Sequence, residues 1–230
     1  MLTFQLARSW QILAFNENDP EAFERFHLRE LDQIGHLLAQ GRAPWVVFKP
    51  VLDTYRGRHF VDRFPDSRVV FAYRNLDDVV NSVMSMALRR GHRPKREQVG
   101  EWVASDFAGF KDPSPPTETR HRIAELWHRD LDEASNVALF WLFQNALYFD
   151  LGLVSEPRVR LVRYEQVVTD PPAEFRSICD FLRIRYEPRV GRGVHRSSIG
   201  KETPPRIEPE IRSACAELIE SLDRSRLGSA

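Results

Sequence analysis

Residues 68–82, Arg68-Val69-Val70-Phe71-Ala72-Tyr73-Arg74-Asn75-Leu76-Asp77-Asp78-Val79-Val80-Asn81-Ser82, limit what this chain can fold into more than any other stretch. The β-branched and aromatic run at 69–73 reads as a buried strand. After Arg74-Asn75 the apolar residues Val79, Val80, Val83 and Met84 recur at helical spacing. The expected local structure is strand, sharp turn, helix. Asp77 and Asp78 fall in the first helical turn, where carboxylates complement the macrodipole, and Asn75 is placed to cap it. Arg74 then stands at the carboxyl end of the strand, with Ser82 about two helical turns further on. A guanidinium and a hydroxyl so placed can hold an anion between them; an ordinary strand-to-helix turn with a solvated arginine has the same local pattern.

The rest of the chain must supply a core for this unit. Its 230 residues suit one α/β domain, and 42% hydrophobic with 29% charged residues is the balance of a soluble globular protein. Thirty-three basic residues against 33 acidic ones leave no net charge, so the overall field argues for neither nucleic acid nor a membrane surface, and any anion site is a local cluster. Cys179 and Cys215 fall in helix-like segments with no metal-ligand spacing around them. Both are expected as buried thiols in a reducing compartment, which places the chain in the cytoplasm. The N-terminus has no basic region followed by a long apolar core, and so does not read as a signal peptide. The apolar stretch 137–149 is interrupted by Gln144 and Asn145 and reads as a core helix rather than a membrane span.

Taken in order, residues 4–15 read as a short helix, followed by a turn in which Asp19 caps and Pro20 opens a second amphipathic helix that stops at Gln40-Gly41. Residues 45–49 read as a strand that ends before Pro50, and a short helix near Phe60 leads into the strand at 69. The run 89–96 is rich in cations and reads as a solvated face or as a basic rim around an anionic ligand. Further helices are expected at 97–110 and 118–150, a strand at 159–164, a helix through Phe175 and Leu182, and a last helix from 208 to 222 followed by a polar, frayed tail. Strands alternating with helices imply a parallel sheet with helices packed on it, an α/β fold.

Four stretches together resemble the sulfotransferase family. Arg74, Asn75, Asp78 and Ser82 match the family's 3'-phosphate element at the right offsets, where the Arg and the Ser grip the nucleotide's 3'-phosphate. Arg163-Tyr164-Glu165-Gln166 with Pro171 is similar to the Arg-Tyr-Glu segment whose Tyr lies near the nucleotide; a tyrosine packed on the following helix would look the same. His195-Arg196-Ser197-Ser198-Ile199-Gly200 resembles the late loop that closes over the 3'-phosphate. Val47-Phe48-Lys49-Pro50 matches the strand ending in a lysine that precedes the phosphate element. The order is the family's own, over roughly residues 45–222.

The resemblance implies a P-loop-like parallel sheet in a single domain spanning 1–230, with 1–44 divergent or truncated and 223–230 a tail. It implies 3'-phosphoadenosine 5'-phosphosulfate as donor, no metal, and a small-molecule or glycan acceptor carrying a hydroxyl or amine. Arg74, Ser82, Tyr164, Arg196 and Gly200 would bind the nucleotide, and Lys49 would stabilise the transferring sulfuryl group unless it makes a structural ion pair. Guanidinium and hydroxyl groups suit this task because they bind phosphate oxygens through short charge-assisted hydrogen bonds.

The departures matter as much. Residues 1–44 contain nothing like the family's 5'-phosphosulfate loop, so the first strand and its loop are expected to be missing. Gly200-Lys201 lacks the earlier glycine of a nucleotide-triphosphatase loop, since His195 stands there. Val51 occupies the position of the general-base histidine of cytosolic members; Asp53 and Glu17 are candidates by position but read better as a cap or a solvated carboxylate, and His59 can serve only if it faces the cleft. The late loop lacks the tryptophan that often follows its second glycine. The alternative to an active transferase is therefore a sulfotransferase-like protein that keeps the nucleotide site without transferring sulfate.

Overall fold

The computed structural model describes residues 30–40, 46–47, 53–90, 96–194, 196, 199–200 and 203–228. The expected helices before residue 30, the basic run at 91–95, Glu17 and Lys49 lie outside the described residues. The chain divides into two compact units, Met1–Pro65 and Asp66–Ala230.

The first unit contains helix α1 (Leu31–Gln40), a 3-10 turn at Thr54–Arg56 and helix α2 (Gly57–Arg63). Among its described residues, Ile34, Tyr55 and Val61 are the buried apolar ones. Arg56 is buried and pairs with Glu30 at 3.4 Å, while Arg63 reaches Asp32 at 3.3 Å on the surface. Val46 and Val47, the described part of the expected strand at 45–49, are exposed and belong to no strand. Their β-branched side chains fit a strand, but among the described residues neither has a ladder partner, and side-chain preference alone does not make a strand. Asp53 is fully buried and His59 is exposed.

The second unit is built on two parallel strands, β1 (Val69–Tyr73) and β2 (Val159–Arg163), paired so that Val69 faces Val159 and Tyr73 faces Arg163. Between them come α3 (Leu76–Arg90), α4 (Arg96–Ala104), α5 (Thr117–Leu126) and α6 (Glu133–Asp150). After β2 follow α7 (Tyr164–Thr169), α8 (Pro171–Leu182) and the long α9 (Pro209–Gly228). Parallel strands flanked by helices make this an α/β fold. On β1, Phe71 and Tyr73 are buried but Ala72 between them is exposed, so the strand is covered on one face rather than on both.

Helix α6 is the centre of the core. Residues 135–139, 141–143 and 145–148 are all buried, which an amphipathic surface helix would not allow. Phe71 of β1 packs on Tyr148, and Trp102 of α4 lies between Phe140 and Phe143 with ring centroids 5.7 and 5.1 Å away. Cys215 of α9 and Cys179 of α8 are free and buried, as expected of small hydrophobes.

Three expected boundaries move. The helix at 97–110 stops at Ala104, because Asp106 and Phe107 take positive φ angles of 49° and 60° that no α-helix tolerates. The segment 118–150 is two helices, divided where Asp132 leaves helical geometry and caps α6 by accepting from the Ser135 N–H at 2.7 Å. The tail expected from residue 223 is helical through Gly228, and Asp223 carries a tertiary anchor in place of a solvated end. Among the described residues, no helix is long and apolar enough to cross a membrane.

Candidate functional site

In α/β sheets the carboxyl ends of the strands are where ligands gather, and here both strand ends feed directly into helices. β1 ends at Tyr73, Arg74 follows, and Asn75 caps α3, its Oδ1 accepting from the N–H groups of Asp77 at 2.9 Å and Asp78 at 3.4 Å. Those two first-turn amides are thereby engaged. An anion beside this turn must be held mainly by side chains.

The Arg74 guanidinium lies over the Tyr164 ring, 4.6 Å from its centroid, and within 3.7 Å of Asp78 Oδ2. Tyr164 is the first residue of α7, immediately after β2, so the parallel register is what brings it beside Arg74. The other Asp78 oxygen accepts from the Gly200 N–H at 2.9 Å. Asn81 donates to the Thr203 carbonyl at 3.2 Å, and Arg212 of α9 bridges Asp77 at 3.0 Å and the Pro205 carbonyl at 2.6 Å. The late loop is thus laid along the first turns of α3.

Of the residues singled out from sequence, Arg74 and Gly200 therefore meet at Asp78, and Tyr164 stacks on Arg74. Ser82 is exposed one turn beyond Asp78 on α3, the spacing that puts both on one helix face. Arg196 is exposed and donates to the Thr169 carbonyl at 3.3 Å, at the end of α7, so its guanidinium is tethered to α7 rather than to Arg74. Of the late loop, Arg196, Ile199 and Gly200 are described, and His195, Ser197, Ser198 and Lys201 lie outside.

Sequence reasoning missed the residues that hold the turn. Trp141 of α6 donates from Nε1 to the Arg74 carbonyl at 3.1 Å. Glu165 accepts the Asn75 N–H at 2.9 Å and the Arg163 Nε at 3.1 Å. Asp223 of α9 receives both Arg163 NH1, at 2.9 and 2.7 Å, and the Tyr73 hydroxyl at 2.5 Å. Burial alone would lower the Arg163 pKa, but the hydrogen bond to Glu165 and the charges of Asp223 and Glu165 outweigh it and raise the pKa. Burial first, then the hydrogen bond to Asp223, pushes the Tyr73 phenol well above its ordinary range. The advance signal was the Arg-Tyr-Glu segment itself, which holds both Arg163 and Glu165.

A family model described as "Sulfotransferase family" matches residues 16–188 of the 230. Among solved structures, the chain is similar to a "Sulfotransferase Domain from the Curacin Biosynthetic Pathway" at 16% identity. That alignment covers 82% of this chain and 68% of the other, with a TM-score of 0.46. No curated protein matches it closely.

Proposed function

The chain belongs to the sulfotransferase family, and on that premise we propose that it transfers a sulfuryl group from 3'-phosphoadenosine 5'-phosphosulfate to a hydroxyl or amine of a small-molecule or glycan acceptor. The observation that supports this reading best is the meeting of Arg74, Tyr164 and the Gly200 loop at the carboxyl ends of the two strands.

The donor set fits a phosphate monoester. Arg74 offers a fork of N–H groups whose plane is fixed by the Tyr164 ring, and the Ser82 hydroxyl is exposed on the same helix face as Asp78. Arg196 would add a second guanidinium from the late loop, and Gly200 brings that loop to α3. Tyr164 presents an aromatic surface suited to an adenine ring. The bound donor would supply an activated sulfuryl group on a phosphate leaving group. Arg74, Ser82 and Arg196 would hold the end of the nucleotide that does not react, so their work is positioning. Lys49 would stabilise charge growing at the transferring group, by analogy with phosphoryl transfer.

Calorimetry with adenosine 3',5'-bisphosphate on the wild type and Arg74→Ala tests the site. Binding by the wild type that weakens at least tenfold in the variant is expected, and absent or equal binding rejects it. A sulfate-transfer assay over a panel of alcohols and amines then tests the chemistry: nucleotide binding with no turnover on any acceptor would assign a binding role instead.

A further inference from the structure

The peptide unit joining Arg74 to Asn75 is held at both of its polar ends by side chains from other elements. Its carbonyl accepts from Trp141 Nε1 and its N–H donates to Glu165 Oε1. Rotation of this unit would redirect the Arg74 side chain on one side and the α3 cap on the other. With both ends bonded, rotation breaks two hydrogen bonds and leaves two part-buried groups unsatisfied.

Glu165 does not act alone. Its second oxygen receives Arg163 Nε, and the far side of that guanidinium is gripped by both oxygens of Asp223. Arg163 is thereby fixed between two carboxylates, one facing the turn and one on the C-terminal helix. Asp223 also receives the Tyr73 hydroxyl from the last residue of β1. A continuous line runs from α9 through β2 and α7 to the peptide that aims Arg74.

We propose that Glu165 is a positioning residue that orients the Arg74–Asn75 peptide for phosphate binding, and that Asp223 supports it through Arg163. The proposal rests on the nucleotide reading above as far as the ligand is concerned. Glu165 touches no reacting atom; its effect is carried by the direction of Arg74.

The test uses the full chain and two readouts. Amide hydrogen exchange at Asn75 reports the clamp without ligand, and calorimetry with adenosine 3',5'-bisphosphate reports its consequence. Glu165→Ala is expected to speed exchange at Asn75 and weaken binding, each by about tenfold, the loss expected for one charge-assisted bond. Glu165→Gln keeps an acceptor for the Asn75 N–H but turns an amide NH2 toward Arg163 Nε, so exchange at Asn75 should stay within about threefold of wild type while binding falls between wild type and Glu165→Ala. If Glu165→Ala does not fold, Glu165→Asp serves: it keeps a charge for Arg163 but withdraws the acceptor by one methylene, and should behave as Ala was expected to. Unchanged exchange and binding in a folded Ala or Asp variant, or a Gln variant as weak as Ala, overturns the proposal. Failure of the wild type to bind the bisphosphate overturns the nucleotide reading alone, because exchange at Asn75 still decides whether Glu165 clamps the turn.

Discussion

Tyr73 and Asp223, 150 positions apart, are joined by a 2.5 Å hydrogen bond that fastens the end of β1 to the last turns of α9. The same carboxylate pairs with Arg163 at 2.7 Å, so one side chain fixes the final residues of both strands. Asp223→Ala removes a partner from a part-buried guanidinium and a buried phenol and should cost about 1–3 kcal/mol. Tyr73→Phe, which leaves the ion pair intact, should cost about 1 kcal/mol. Urea denaturation of the two variants and the double variant checks this: additive losses would show that the hydroxyl and the carboxylate are not coupled.

The same bond makes stability depend on alkaline pH. The Tyr73 pKa is raised in the folded state by burial and by Asp223, whereas the unfolded phenol titrates near about 10. Between those values the unfolded chain loses a proton that the native chain keeps, so the contribution is complete below about pH 10 and is lost as pH rises through the folded value. Denaturation midpoints measured from pH 8 upward should fall more steeply for the wild type than for Tyr73→Phe. Parallel slopes would exclude Tyr73 as their source.

Both thiols should be inert. Burial pushes Cys215 up to about 12 and raises Cys179 as well, with Asp180 adding to the latter. The thiolate is the reactive form, and neither sulfur is exposed. A disulfide reagent at pH 8 should titrate no thiol in the native protein and two after denaturation. A fast native reaction would contradict the packing of α8 or α9.

What could be read from sequence was local. The Asn75 cap, the strand at 69–73, and the buried character of 137–149 follow from short-range chemistry, and each stands in the structure. Trp141 read as bulk, because the carbonyl that its indole N–H reaches lies 67 positions away. Asp223 read as tail, because Ile211, Cys215 and Leu222 mark a helical face but nothing nearby says what a carboxylate beyond them will meet. Val46 and Val47, the described part of the expected strand at 45–49, are not in a strand, because propensity without a ladder partner among the described residues does not make one. The candidate site divides the same way: the strand, turn and cap around Arg74 and Asn75 were legible, and the residues that brace them, Trp141 and Asp223, were not.

Gln144 is a cost that substitution can remove. It sits in α6 among buried neighbours, and among the described residues both amide atoms are enclosed without a hydrogen-bond partner. Gln144→Met keeps the length and unbranched shape while removing both polar atoms, and should stabilise by about 1–3 kcal/mol. Chemical denaturation of this variant gives the answer directly. A loss of stability instead would mean that the amide is satisfied in solution.

The stacking of Arg74 on Tyr164 predicts that charge alone will not serve at this position. Arg74→Lys keeps a cation but gives up the planar fork and most of the contact with the ring, whose centroid lies 4.6 Å from the guanidinium carbon. Affinity for adenosine 3',5'-bisphosphate should fall about tenfold in Arg74→Lys and further in Arg74→Ala. Tyr164→Phe keeps the aromatic face and should bind within about twofold of wild type, whereas Tyr164→Leu should resemble Arg74→Lys. Raising the salt should narrow the gap between wild type and Arg74→Ala, because the lost contact is ionic. Full affinity in Arg74→Lys would mean that the guanidinium plane does not read the phosphate, and equal losses in Tyr164→Phe and Tyr164→Leu would move the tyrosine's role from its ring to its hydroxyl.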